Sequence, residues 1–314
     1  MQQPYLQTYI PERDEATLHQ LWQRTLGDSW PIELQRMRLV LDASGAHHLI
    51  VREDDRAIGF AATSQESRNE EREGSLLALL IDPQEQGRGI GSALHDAAVA
   101  HLRASGVRSI QLGGLVPRFW CGLPTNLETA RPFFEHRGWQ FGQKVVDMVR
   151  DLRDYTTPER ISQRMEQEGI RFETATPESI AEVLAFETRE FPNWTMHFER
   201  HARLGDHSDI VIARDPHKGI VGTVSTNSPR SNPASPDIIW QSLLGQDSGH
   251  IGAVGVAASE RGRGIGIGIV ARASEILKER GVRNCYIDWL VLVDFYAKLG
   301  YATCQAYWMG WRQP

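Results

Sequence analysis

Two stretches half a chain apart repeat one succession of apolar and polar positions. The apolar run at residues 76–81 gives way to a polar turn and then to apolar positions at helical spacing from Leu94 to Leu102; residues 251–257, followed by Ile269 to Leu277, do the same. Each reads as strand, turn, helix. The order continues downstream, where residues 106–112 and 281–288 predict a strand after each helix. Upstream, residues 51–60 and 212–222 predict hairpins around polar turns. Pro11-Glu12-Arg13-Asp14-Glu15 ahead of Leu18, Leu21 and Trp22 predicts a helix start, and Pro177-Glu178-Ser179 ahead of Ile180, Val183 and Leu184 predicts its counterpart. The chain therefore reads as a tandem repeat of one α/β unit, a mixed and twisted sheet with helices on both faces. Between the halves, residues 155–168 carry Pro158 and many charges with few large apolar side chains. The expected division is a first domain at 1–153, a linker at 154–169 and a second domain at 170–314. A length of 314 residues suits two domains.

The turns carry the candidate chemistry. Gln86-Gly87-Arg88-Gly89-Ile90-Gly91 and Arg261-Gly262-Arg263-Gly264-Ile265-Gly266 share the spacing [QR]-x-x-G-x-G. A helix entered through such a turn presents unpaired N–H groups, and glycines let an anion approach them at the positive end of the helix dipole. Both loops are expected to hold phosphate. No Gly-Lys pair occurs, which excludes a P-loop, and G-x-G-x-x-G fails in both loops. Arg88 and Arg263 either reach that phosphate or face solvent while the amides bind it.

What does match is the pyrophosphate loop of the GCN5-related N-acetyltransferase (GNAT) superfamily. Asp294-Phe295-Tyr296-Ala297-Lys298-Leu299-Gly300-Tyr301 resembles the F-Y-x-K-x-G-[FY] element of that family, and Arg131-Pro132-Phe133-Phe134-Glu135-His136-Arg137-Gly138-Trp139 holds the same place in the first half. The resemblance implies two GNAT domains, acetyl-coenzyme A as donor and direct acetyl transfer to the primary amine of a small molecule. It implies that pantetheine lies beside the strand Val254-Gly255-Val256, with a bulge easiest at Gly255. It gives Tyr296 the role of acid at the leaving sulfur. Phe134, its counterpart, has no proton to give, so the second half is expected to be catalytic and the first weakened or structural. The base that deprotonates the amine is not named by the motif; His250, Asp288 and Asp294 are candidates.

The acceptor is expected at the more variable elements. Glu190, the Phe191-Pro192-Asn193-Trp194 element and Trp289 are similar to tandem GNAT members acting on glucosamine and glucosaminides, which makes Trp194, Trp289 and Glu190 candidate sugar-binding residues. Phe and Trp at such spacing equally fill cores. An aminoglycoside, a polyamine, a peptide N-terminus or a non-catalytic acyl-coenzyme A binder remain as alternatives. The first half also carries an extra segment, residues 117–124, fit to close a groove, dock or shape a pocket. A net charge of −6 disfavours nucleic acid as a partner, and no apolar run is long enough to span a bilayer. With no leader pattern at the start, a cytoplasmic monomer or homodimer is expected. Cys121, Cys285 and Cys304 show no metal-ligand pattern and, being odd in number, no disulfide framework.

Overall fold

The computed structural model describes residues 4–43, 45–68, 71–114, 117–235, 237 and 239–314. The chain divides into two compact units, residues 1–145 with 306–314, and residues 146–305. In the first unit β1 (Leu6–Thr8), α1 (Pro11–Leu26) and α2 (Leu34–Leu41) precede β2 (His47–Glu53), β3 (Arg56–Arg68) and β4 (Glu71–Ile81). Then come α3 (Ile90–Ala104), β5 (Ser109–Leu112), the short β6 (Leu123–Pro124), α4 (Arg131–Glu135) and the start of β7 (Gln140–Asp151). The second unit takes over β7 at Val146 and continues with α5 (Glu159–Gln167), β8 (Arg171–Thr174), α6 (Ile180–Glu190) and α7 (Thr195–Leu204). Next are β9 (Ile210–Asp215), β10 (Gly219–Asn227), α8 (Gln241–Leu244), β11 (Gly249–Val256), α9 (Ile265–Glu279), β12 (Asn284–Leu290), α10 (Val293–Ala297) and β13 (Ala302–Arg312). From Ala306 onward β13 belongs to the first unit.

Both sheets are mixed, as expected. In the first unit β1 to β4 run antiparallel, β5 lies parallel to β4, and residues 310–312 complete the sheet antiparallel to β5. In the second unit β8 to β11 repeat that antiparallel order, β12 is parallel to β11, and residues 146–151 pair antiparallel to β12. The apolar rows read from the sequence form the cores. Leu94, Ala98 and Leu102 of α3 pack with Leu76 and Ile110, and Ile269, Ala273 and Leu277 of α9 pack with Ile251 and Ile287. No helix among the described residues is long and apolar enough to cross a membrane.

Two segments differ from the sequence reading. Residues 154–169, expected as a linker, hold α5, whose Ile161 and Met165 are buried in the second unit's core. Their spacing of four places both on one helical face, a signal masked by the charges around it. The extra segment 117–124 packs inward: Phe119 and Trp120 lie 4.7 and 5.4 Å from the Trp22 ring of α1. The turn feeding it depends on Gly113, at φ +78°, where a Cβ would collide with the Trp120 carbonyl oxygen.

That contact makes Gly113→Ala a specific probe. Left-handed strain plus a backbone clash are expected to cost about 2–4 kcal/mol, against about 1 kcal/mol for Gly106→Ala, where φ is +75° but a Cβ meets open space. Denaturant midpoints at constant m-value measure both, and equal shifts would remove the clash from the account.

Candidate active site

Each unit opens its sheet at the same place. Pairing of β4 with β5 runs from Glu73–Ser109 to Leu76–Leu112 and stops, although β4 continues to Ile81. Pairing of β11 with β12 runs from Gly249–Cys285 to Ile251–Ile287 and stops, while β11 continues to Val256. The edges at 77–81 and 252–256 are thus left without a strand partner on that side among the described residues, and Val254, Gly255 and Val256 lie on the second edge. An extended chain with amide groups can complete such an edge by backbone pairing.

A bulge accompanies each opening. The extra residue in β4 falls at Leu77. In β11 it falls between Gly252 and Gly255, and Ala253 takes the strain at φ +47°. The expectation of a bulge at Gly255 is corrected: Gly255 pairs in register with Thr223. Its missing side chain serves close approach instead, since a Cβ there would stand 2.5 Å from the Phe191 ring.

Above each opening sits the glycine loop. Gly87 and Gly89 have φ +79° and +81°, Gly262 and Gly264 have φ +87° and +85°, and Gly89 and Gly264 are the N-caps of α3 and α9. A Cβ at Gly87, Gly89 or Gly262 would meet nothing within 4 Å, so the backbone there borders open space on that side. At Gly91 and Gly266 a Cβ would make ordinary contacts of 3.4 to 3.9 Å. Both arginines inside the loops are held by carboxylates: Arg88 by Glu85 and Glu53, and Arg263 by Glu168 (2.7 Å), Asp215 (3.1 Å) and Glu260. Arg261 donates weakly to the Val256 carbonyl oxygen at 3.4 Å.

The first unit has a groove of about 610 Å³ running from its loop along residues 77–81. Gln86, Gly87, Gly89, Ile90 and Gly91 line one end, and Trp120, Gly122 and Leu123 line a wall, so the extra segment shapes this groove. Phe134 also lines it, packed against Phe133 and Trp139. An unpaired strand edge, an open amide cradle and an apolar trough suit a coenzyme with a diphosphate and a pantetheine arm.

In the second unit two of the side chains singled out from the sequence meet. His250 on β11 and Asp288 on β12 lie in adjoining strands, with Nε2 and Oδ1 3.2 Å apart. Tyr296 of α10 is buried, and burial first, then the nearby Asp288 charge, pushes its phenol up to about 12. Gly252 leaves room for the imidazole, whose Cε1 would stand 2.7 Å from a Cβ there. Asp294 is exposed in the first turn of α10 and joins no contact with this group.

Several neighbours were not legible in the sequence. Asp147, buried on β7, accepts from the Tyr286 hydroxyl at 2.7 Å and from the Trp289 amide at 2.9 Å. It thereby holds Trp289 at φ +54°, a conformation strained for an aromatic residue. Asp237, with a side chain only 8% exposed, lies 3.4 Å from Arg200. Burial would raise its carboxyl, but the charges of Arg200, His250, His197 and His201 outweigh that and hold it below the usual range. Trp194 stacks on Phe191 at 5.1 Å, so one of its faces is covered. Glu190 accepts from Arg189 at 3.0 Å and from the Ala258 amide at 3.4 Å, on the loop side of β11. The carboxylates of Asp206 and Asp209, close to His201, are bonded to the Asn232 amide and to Arg280 and Ser231.

The chain belongs to the acetyltransferase (GNAT) family: the family's model matches it twice, at residues 16–139 and 176–301. Members generally use acetyl-coenzyme A, and the cradle, edge and groove fit that molecule. The solved GCN5-related glucosamine N-acetyltransferase region of a fungal multi-domain GH3 β-N-acetylglucosaminidase is similar at 36% identity and a TM-score of 0.95, over 98% of this chain and 38% of that one. Mycothiol acetyltransferase of Corynebacterium aurimucosum is 24% identical over 289 residues, 84% of this chain and 83% of that protein. The Actinosynnema mirum enzyme of the same name is 31% identical over 117 residues, 34% of this chain and 37% of that protein. The chain thus spans well under half of two of these three relatives.

Glu187 on α6 gives this unit a measurable pH signature. It is fully buried, accepts from Thr223, and has its second oxygen without a hydrogen-bond partner among the described residues. Burial raises its carboxyl from 4.5 to about 7, the Thr223 bond opposing in part. Between those values the folded state keeps a proton that the unfolded chain releases, so stability falls as pH rises from 4.5 to about 7 and stays lowered above. Glu187→Gln, which keeps the Thr223 bond, is expected to gain up to about 3 kcal/mol at pH 8 and almost nothing at pH 4.5. Denaturation curves at both pH values test this; a gain of equal size at each would show that ionisation is not involved.

Proposed function

We propose that the protein is an N-acetyltransferase that carries acetyl from acetyl-coenzyme A directly to the primary amine of a small molecule, with an amino sugar of the glucosamine type as acceptor and the second unit as the working site. The observation that carries this reading is the His250–Asp288 pair, 3.2 Å apart where β11 and β12 part, with the buried Tyr296 phenol in the field of the Asp288 charge. The glucosamine class is supported by the name of the relative that matches 98% of the chain at 36% identity.

Acetyl-coenzyme A supplies an activated acyl carbon on a thiol leaving group. The amides following Gly262 and Gly264 hold its diphosphate at the positive end of α9. Residues 252–256 orient the pantetheine arm by backbone pairing, and the amides freed at the Ala253 bulge polarise the acyl oxygen. His250 takes the proton of the incoming ammonium, and Asp288 steadies the resulting imidazolium at 3.2 Å. Asp288 and the Asp237 charge also make the chamber attractive to a cationic amine. The amine nitrogen bonds to the acyl carbon as the carbon–sulfur bond breaks, and the nitrogen gives up its second proton to solvent. Tyr296, kept neutral by a phenol pKa of about 12, donates a hydrogen bond to the departing sulfur; full transfer to a thiolate of reference pKa about 8.5 is uphill, so solvent delivers the final proton. Trp289 and the free face of Trp194 border the acceptor. In the first unit the same loop and edge hold coenzyme A, but Phe134 offers no hydrogen to a sulfur.

Tyr296→Phe is expected to lower kcat about 100-fold with little change in KM for acetyl-coenzyme A, read as free-thiol release with glucosamine as acceptor. An unchanged kcat sinks the role given to Tyr296. Tight coenzyme A binding with no thiol release toward any amine would make the protein a non-catalytic acyl-coenzyme A binder.

A further inference from the structure

The two glycine loops match in sequence but differ in what stands at their mouths. Over Gly89 there is nothing within 4 Å of where a Cβ would be. Over Gly264 lies the guanidinium of Arg164, with Nε 2.9 Å and Cζ 3.2 Å from that point. Arg164 comes from α5, upstream of the second GNAT match. Its Nη2 donates to the Gly262 carbonyl oxygen at 2.6 Å, and among the described residues no carboxylate is paired with it. Arg263, by contrast, is occupied by Glu168, Asp215 and Glu260.

The seat of Arg164 is built. Met165, the next residue, is buried against α9 at Gly268, where a Cβ would stand 2.6 Å from its sulfur and 3.0 Å from the Phe172 ring. Arg263 in turn donates to both the side chain and the carbonyl oxygen of Glu168, just past the end of α5. Two arginines therefore cross between helix and loop in opposite senses, and this fixes the helix over the loop. The guanidinium has donors to spare after its bond to Gly262, because it carries five N–H groups.

We propose that Arg164 binds the diphosphate of coenzyme A at the second loop, adding a cation from outside the GNAT repeat that the first loop lacks. This rests on the second loop being a coenzyme A site. The fixed positive charge completes a cradle otherwise made of amides, and its planar fork suits two phosphate oxygens. The two loops then bind the same molecule with different strengths and different sensitivity to salt, the second falling more steeply as ionic strength rises.

The test is calorimetric titration of the full chain carrying Gly89→Val, which removes the first loop, with and without Arg164→Gln. Coenzyme A and 3′-dephospho-coenzyme A serve as titrants. Arg164→Gln is expected to weaken both by about tenfold, the size of one charge-assisted hydrogen bond at an exposed site. Arg164→Lys, which keeps the charge but loses the fork, should fall between wild type and Arg164→Gln. Unchanged affinity in Arg164→Gln overturns the inference while leaving the second loop a coenzyme A site. Tighter binding also overturns it, by showing that the guanidinium plugs the loop, and so does a loss confined to the titrant that carries a 3′-phosphate. Absence of binding with Arg164 intact overturns this inference and the reading beneath it together.

Discussion

Everything proposed for this protein depends on a parallel strand pair that lets go. Past Ile251 and Ile287, as past Leu76 and Leu112, two neighbouring strands stop sharing hydrogen bonds while the strand leading to the glycine loop runs on. An unpaired inner edge inside a sheet is costly to leave alone, because its amides have lost solvent on one side without gaining partners. It is tolerated where a ligand backbone completes it. The glycine-capped helix stands at the mouth of that gap for the same geometric reason, since the chain must turn sharply from the end of the open strand into the helix that covers the sheet.

The two units solve the same problem with different leftovers. The first keeps an apolar trough lined by Phe134 and Trp120. The second surrounds its opening with ionisable groups: His250, Asp288, Asp237 and the neutral Tyr296 hydroxyl. A low-dielectric site that gathers titratable groups is suited to moving protons, and one that gathers aromatic carbon is suited to holding a ligand still.

Much of this was legible in the sequence because it rests on local rules. The loop spacing located both N-caps, and the apolar rows located strands and helices to within a few residues. The contact between His250 and Asp288 joins two residues singled out beside one motif, whose own Tyr296 is buried. The rest depended on contacts between distant residues. Arg164 was hidden because Ile161 and Met165 sit among charges that resemble a solvated linker. Asp147 precedes the residues it holds by more than 130 positions, and nothing in its own surroundings distinguishes it from a surface carboxylate. The bulge was misplaced for a related reason: a strand glycine signals either an irregular backbone or a close neighbour, and only the position of Phe191 shows which applies.

Gly268 shows how little change separates the two copies. Counting from the shared loop, the residue matching it in the first half is Ala93. One methyl group on α9 would collide with Met165 and lift α5 from its bed. The bare backbone at Gly268 is thus what lets a helix lying ahead of the second family match seat on one copy, so the two units, alike in their loops, differ in what those loops can be fitted with.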